Sequence, residues 1–193
     1  MNIINILVCG VGGQGILLAS EVLSDAAMRA GFDVKKSEVH GMAQRGGSVV
    51  SHIRYGEKIF SPLIKEGEAD FLFSFEKMET LRYISMLKKS GTIIINDQKI
   101  NPTTINIKKS FYPSDIVETC KKFTSEVFLI EALKIAEELG NTKTVNIIMI
   151  GALSKFLNIS EEIWIESLKS NIKSKFLDLN ILAFQKGQSF NMN

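Results

Sequence analysis

Residues 3–30 read IINILVCGVGGQGILLASEVLSDAAMRA, and the change of pattern inside them decides the fold. Ile3 to Val8 is a short, apolar, β-branched run that ends at Gly10, as a buried strand feeding a glycine turn does. From Gln14 to Ala30 the period changes. Glu21, Asp25 and Arg29 recur every fourth position while Ile16, Ala19, Leu23, Ala26 and Ala30 mark an apolar face, so a helix is expected, with Gly31 at its C′ position. Phe32 to Val39 reads as a second strand. Strand, glycine turn, helix and strand make the βαβ unit of a parallel sheet.

Outward from this unit, a glycine-bearing loop from His40 to Gly47 leads into a β-rich segment, Ser48 to Tyr55. Gly56-Glu57-Lys58 is read as a turn into a short strand, Ile59-Phe60, giving a hairpin. Asp70 to Phe75 is apolar with almost no alternation, as in a central strand covered on both faces. A helix is expected from Glu76 to Lys89, ended by Gly91, then a buried strand from Thr92 to Asn96, with Asn101-Pro102 as a break. Helices follow from Ser114 to Lys122, Ser125 to Leu139, Thr144 to Leu157 and Ser160 onward, with Gly140 as a cap. The expected architecture is α/β and Rossmann-like: a mostly parallel sheet with helices on both faces and a C-terminal helical layer, in a single domain over residues 1–193.

Composition excludes several classes. A chain of 193 residues with 23 basic and 21 acidic side chains, net charge +2, lacks the dense basic footprint of a nucleic-acid binder. Cys9 and Cys120 are its two cysteines and are far apart, so no CxxC spacing cages a metal or an iron–sulfur cluster. No secretory signal pattern is present and no apolar run nears the ~20 residues of a membrane span, which leads to the expectation of a cytoplasmic protein.

Two stretches can carry chemistry. Gly10-Val11-Gly12-Gly13-Gln14-Gly15 fits GxGxxG between a strand and a helix, where backbone N–H groups and the helix dipole can hold a phosphate. In that reading Gly10 makes the tight turn, Gly12 admits a phosphate and Gly15 packs helix on strand; a bare turn is the alternative. An NAD site adds an acidic residue after the second strand. That place holds Lys35-Lys36-Ser37-Glu38; Glu38 could serve, but the two lysines ahead of it suit a phosphate better than a bare ribose, which demotes an ordinary NAD dehydrogenase, and a solvated strand end is the favoured reading of the lysines.

The second stretch is Glu38-Val39-His40-Gly41-Met42-Ala43-Gln44-Arg45-Gly46-Gly47-Ser48. Ligands of open parallel sheets bind beyond the carboxyl ends of the strands, so this loop should share a rim with the first glycine turn. Arg45 can grip a phosphate or carboxylate in a fork, with Gln44 beside it, and Gly46-Gly47 lets the backbone close in. His40 can transfer a proton or hydrogen-bond its own loop; no nucleophile or second base accompanies it, and no catalytic or metal-ligating residue is assigned.

GVGGQG and EVHGMAQRGGSV together resemble the signature of the gamma-type domain of the 2-oxoacid:ferredoxin oxidoreductases, most closely the small (beta) subunits of the indolepyruvate-type enzymes. Ser61-Pro62 with Gly67-Glu68-Ala69-Asp70, Asn146 with Gly151-Ala152-Leu153, and Asn180-Ile181-Leu182-Ala183-Phe184 with Gly187 are similar to further marks of that family. Sister enzymes for pyruvate, branched-chain oxoacids and 2-oxoglutarate carry related domains. The resemblance implies a part in the coenzyme A-dependent oxidative decarboxylation of a 2-oxoacid to acyl-CoA, carbon dioxide and reduced ferredoxin. It implies further that a larger partner subunit brings thiamine diphosphate and iron–sulfur clusters. The chain itself shows no cysteine cluster motif and no GDG followed by a metal-binding Asn. A rim of Gly12, Gly13, Gln14, His40, Gln44, Arg45 and Gly46 is then expected to face the partner's cofactor site and help hold coenzyme A or the substrate carboxylate, or else to dock the partner.

Two rivals stay open from the residues alone: a free-standing NAD(P)-dependent oxidoreductase and a non-enzymatic nucleotide-binding scaffold. Isolated, the chain is expected to cover its partner surface by forming a homodimer.

Overall fold

The computed structural model describes residues 3–40, 46–101 and 112–190. Its strands form one six-stranded sheet in the order β2-β3-β1-β4-β5-β6. These are β1 (Ile4–Val11), β2 (Asp33–His40), β3 (Ser48–Gly56), β4 (Ala69–Ser74), β5 (Leu87–Asn96) and β6 (Val127–Ile130). Helix α1 (Ile16–Arg29) links β1 to β2, and Gly31 behind it has φ +88°, the left-handed conformation that ends a helix and suits glycine.

β1, β4, β5 and β6 run parallel; the apolar patterns lead to the first three as strands of a parallel sheet, and β6 lies where a helix is expected. β3, however, enters between β1 and β2 and is antiparallel to both. The βαβ unit therefore exists with a strand threaded through it, and the sheet is mixed. β2 and β3 pair along their whole length, from Asp33 opposite Gly56 to His40 opposite Val49.

Three expectations about elements are corrected. Ile59-Phe60 forms no strand: Ile59 donates its N–H to the Asp33 carboxylate at 2.8 Å, while Phe60 projects into solvent. The helix expected from 76 to 89 stops early, as α2 (Lys77–Arg82) and a 3-10 turn (Ile84–Met86), because Leu87 is already paired with Ala69 in the sheet. Gly91 lies inside β5, where a Cβ would meet Leu87 Cδ1 at 2.5 Å, so close packing and no helix end explains it. The helix expected from 125 to 139 begins as β6, since Val127 to Ile130 pair with Ile93 to Asn96; α4 (Ala132–Glu138) follows. Pro102 and its expected break lie outside the described residues.

Both faces of the sheet are covered. Leu7, Cys9, Leu72, Ile93 and Ile95 point to the side of α2 and α3 (Ile116–Lys121). Ile6, Val8, Ile53, Phe73 and Ile94 point to the side of α1, α4, α5 (Val145–Ser154), α6 (Glu161–Asn171) and α7 (Leu177–Gln188). All of α5 is buried, which accounts for its lack of a polar face. Each large side chain fully buried in these layers stabilises the fold by about 1.5–3 kcal/mol. Among the described residues no helix is long and apolar enough to cross a membrane.

Candidate functional site at the glycine turn

The chain direction changes sides at the end of β1: α1 and β2 lie one way, β4 the other. This is where open α/β sheets leave a crevice. The two motifs singled out in the sequence meet there. Gly12 donates its N–H to the Gly47 carbonyl at 2.8 Å, and Gly46 donates to the Gly12 carbonyl at 3.4 Å. The β1–β3 ladder, whose last register pair is Val11 with Ser48, thus continues into the two glycine segments. Gly12 is consequently spent on the neighbouring loop and has no N–H left for a ligand.

Other glycines of the turn differ from their expected jobs. Gly10 makes no turn; it is paired with Val49 inside β1, and a Cβ there would meet Gln14 Oε1 at 2.7 Å and Phe75 Cβ at 2.8 Å. Gly15 is the N-cap of α1, with φ +77°, and packs not on a strand but on Asn146 of α5, whose Nδ2 would lie 2.6 Å from a Cβ. Gly13, at φ +104°, has open space where a Cβ would stand. The N–H groups of Gly13 and Gly15 have no backbone or side-chain partner among the described residues. No side chain caps α1, so its first-turn N–H groups add to this donor set at the positive end of a 14-residue helix.

Gln14 holds the turn in shape. Its Oε1 accepts the Val11 N–H at 2.7 Å; its Nε2 donates to the Phe75 carbonyl at 2.7 Å and to Gln98 Oε1 at 2.9 Å. Asn96 donates to the same two acceptors, at 3.2 and 3.0 Å. The ends of β1, β4 and β5 are tied together by this amide cluster. Gln14 thus acts on the shape of the rim through the backbone, with its own amide fully engaged.

A cleft of ≈ 680 Å³ opens beside the turn, between Gly12–Gly15, Gln98 and Ile100 after β5, and Thr142, Lys143 and Asn146 at the start of α5. Such a volume suits a small ligand. Lys143 is exposed and has no carboxylate partner among the described residues. Asn146 is 4 % exposed, donates Nδ2 to the Gly15 carbonyl at 3.3 Å and keeps a buried Oδ1 with no partner. Open N–H groups, a helix N-terminus and an unneutralised ammonium together favour an anion.

Two buried glutamates steady the surroundings. Glu79 receives the Ser48 hydroxyl and the Arg82 guanidinium, the latter at 3.1 Å, and so holds the start of β3. Glu76 accepts the N–H groups of Glu79 and Ile100, each at 3.0 Å, and the Tyr112 hydroxyl at 2.6 Å. Burial and this carboxylate push the Tyr112 phenol well above its ordinary range.

Gln44 and Arg45 lie outside the described residues, but Arg45 is joined to Gly46, which is bonded to Gly12. Lys36 is paired with Glu21 at 2.5 Å and Glu38 at 3.0 Å, and Lys35 with Asp33 at 2.7 Å. These pairs occupy the lysines and Glu38 with each other on β2, against a ribose site there. The sequence reading missed Lys143, Thr142 and Gln98. Polar residues between the Gly140 cap and Asn146 were the available signal, since a loop opening onto a buried helix has reason to be polar only where it meets solvent or ligand. Among the described residues, no three His, Cys, Asp or Glu side chains gather as a metal site would require.

A family model described as pyruvate ferredoxin/flavodoxin oxidoreductase matches residues 5–190. Indolepyruvate oxidoreductase subunit IorB of Thermococcus kodakarensis is 42% identical over 190 residues, covering 95% of this chain and 93% of that protein. The keto/oxoacid ferredoxin oxidoreductase gamma subunit of Geobacter sulfurreducens superposes with a TM-score of 0.70 at 22% identity, covering 95% of each chain. The 2-oxoglutarate:ferredoxin oxidoreductase of Magnetococcus marinus, solved with 2-oxoglutarate, coenzyme A and succinyl-CoA, gives a TM-score of 0.76 at 22% identity, over 98% of this chain and 31% of that one.

Proposed function

The chain belongs to the pyruvate ferredoxin/flavodoxin oxidoreductase family, and we propose that its glycine rim completes, for an indolepyruvate-type enzyme, an active centre that a larger subunit carries. It is the small subunit of a 2-oxoacid:ferredoxin oxidoreductase and works within a heteromeric complex. In the proposed division of labour, the partner subunit holds thiamine diphosphate and iron–sulfur clusters and passes electrons to ferredoxin. Thiamine diphosphate supplies the carbanion chemistry of decarboxylation. This chain binds and orients.

The single observation that carries the reading is the contact of Gly12 with Gly46 and Gly47, which makes one rim of two separate glycine-bearing motifs. The donor set fits phosphate: Gly13 and Gly15 offer N–H groups, α1 offers its positive end, and Lys143 offers a mobile charge. Coenzyme A, with its phosphates, is the ligand of the reaction class that this set suits. Arg45, joined to Gly46, supplies a fork for a phosphate or for the oxoacid carboxylate. The relative's indolepyruvate specificity, at 42% identity, favours an aromatic 2-oxoacid.

In the assembled enzyme, Arg45→Ala should raise the KM for coenzyme A or for the oxoacid by roughly tenfold, the loss of one charge-assisted bond. Unaltered kinetics would discard the rim. Loss of the large subunit in a pull-down, with folding intact, would instead make this surface a docking face alone. The rival reading as a free-standing dinucleotide enzyme is tested by titrating the chain with NAD(P)H.

A further inference from the structure

We propose that β2 is a self-complementary edge, along which two copies of the chain join their sheets antiparallel about a two-fold axis at Ser37. β2 (Asp33–His40) ends the strand order, with no strand beyond it among the described residues. Its register with β3 is unbroken, and it carries neither the proline nor the bulge that often blunts an edge. None of its described side chains is buried, and Val39 is 51% exposed. β6, at the opposite edge, has only 4 residues.

The ladder determines which groups this edge offers. The Cys9 carbonyl accepts the Phe75 N–H on the β4 side, so Val8 and Gly10 turn to β3, opposite Ser51 and Val49. Alternation then turns Val50, His52 and Arg54 to β2, opposite Val39, Ser37 and Lys35. The backbone N–H and C=O groups of Val34, Lys36 and Glu38 consequently point away from β3, toward the outer edge. A strand from a second copy completes this ladder.

Symmetry and charge select one register. A two-fold axis normal to an antiparallel pair sets one residue opposite itself, and the residues before it opposite those after it. With Lys36 on the axis two ammonium groups face each other, and with Glu38 there two carboxylates do. Centres nearer the ends of β2 shorten the ladder; Val34 on the axis would set Lys35 opposite Asp33 but confine pairing to Asp33–Lys35. Ser37 on the axis extends pairing from Val34 to His40, with Lys36 opposite Glu38 of the second copy and Glu38 opposite its Lys36. Within one chain Lys36 already bonds Glu38 at 3.0 Å and Glu21 of α1 at 2.5 Å. Pairing therefore closes a ring of alternating charge on the α1 face, each ammonium lying between carboxylates. On the other face Lys35 meets Val39 of the second copy, whose exposed side chain its aliphatic stem covers. The cleft beside the glycine turn shares no lining residue with β2. The two His40 residues, where the rim loops begin, stand at opposite ends of the joined strands, roughly 20 Å apart.

Sedimentation velocity on the full chain reads the pairing, with circular dichroism to check that each variant is folded. The wild type is expected to sediment as a dimer. Lys36→Glu sets carboxylate against carboxylate across the axis and Glu38→Lys sets ammonium against ammonium, so each variant alone should weaken the dimer by roughly tenfold or more. Mixed together, the two should pair with each other, because every Lys then faces a Glu. Ser37→Lys places two ammonium groups on the axis and leaves the Lys36 bond to Glu21 in place. It should also give monomers, and it serves as the test if either charge reversal fails to fold. A monomeric wild type, single variants that stay dimeric, or a mixture that stays monomeric overturns the proposal. In the assembled complex, loss of the large subunit from all three variants would assign β2 to that partner and overturn self-pairing as well.

Discussion

Gly151 of α5 and Gly187 of α7 lie against each other so closely that a Cβ on Gly151 would stand 3.0 Å from the Gly187 Cα. The same Cβ would run into the Phe184 carbonyl, and one on Gly187 into the Ile148 carbonyl. Both helices meet backbone to backbone, with no flexible side chain able to yield.

Gly151→Ala is therefore expected to destabilise the chain by about 3 kcal/mol or more, at the upper end of overpacking substitutions. Gly187→Ala should behave alike. Urea denaturation of each variant measures this. A loss within 0.5 kcal/mol, about that of a neutral surface change, would mean that the helices can separate freely. The effect reaches the site, because α5 also carries Asn146, five residues before Gly151, which packs on the N-cap of α1.

Gln14→Glu changes one NH2 for an oxygen and leaves the shape nearly alone. The carboxylate keeps the bond from the Val11 N–H but turns an acceptor toward the Phe75 carbonyl and Gln98 Oε1. Both acceptors keep the Asn96 amide, but two donated bonds are replaced by a carboxylate oxygen facing two other oxygens, a loss of about 1–3 kcal/mol. The variant is expected to lose that much stability and to bind coenzyme A more weakly in the complex, as the turn loosens. Wild-type stability in Gln14→Glu would show that the amide cluster does not hold the turn.

The contrast between Gly10 and Gln14 shows what was legible in the sequence. A change of hydrophobic period at Gly10–Gly15 is a local property, and it correctly separated strand from helix. What each glycine does is not local: Gly10 is required by Phe75 and Gly15 by Asn146, residues 65 and 131 positions away. The same limit explains β6. Val127 to Ile130 is too short to show alternation beside a helical run, and only its pairing with β5 makes it a strand. β3 entered between β1 and β2 for an equally non-local reason, since strand order follows from which edges meet. Lys143 was missed because no spacing relates it to the glycine motif, from which it is separated by most of the chain.

His52 in β3 gives the fold a pH dependence of known sign. Its Nδ1 accepts the Ile64 N–H at 3.2 Å, and partial burial lowers its pKa below the ordinary 6.5. In the unfolded chain the imidazole takes up a proton near 6.5, so below that pH the unfolded state binds more protons and stability falls as pH drops. The contribution is fully present above 6.5 and is lost as pH descends toward the depressed folded-state pKa. Urea midpoints measured from pH 7.5 to 5.5 should decline in the wild type. His52→Asn, which keeps an acceptor and cannot titrate, should flatten the decline. Parallel curves for the two proteins would remove His52 as the cause.

Gly15 and Asn146 are coupled through a single approach, and the coupling can be measured. Gly15→Ala places a side chain at φ +77° and drives its Cβ to 2.6 Å from Asn146 Nδ2. The strained backbone alone costs about 1–3 kcal/mol, and the collision adds to it. Asn146→Ala removes the obstructing amide together with its bond to the Gly15 carbonyl, itself a net loss of about 1 kcal/mol. In the double variant the alanine at 15 meets only the Cβ of residue 146, at 3.4 Å, an ordinary contact, so its backbone strain is the main cost that remains. The double variant should then be more stable than the sum of the two single losses predicts, by about 1 kcal/mol or more, as expected of residues in direct contact. Additive losses would mean that α5 moves away from the turn at no cost. In that case Asn146 would not fix the height of the α1 N-terminus, on which the donor set for the anion depends.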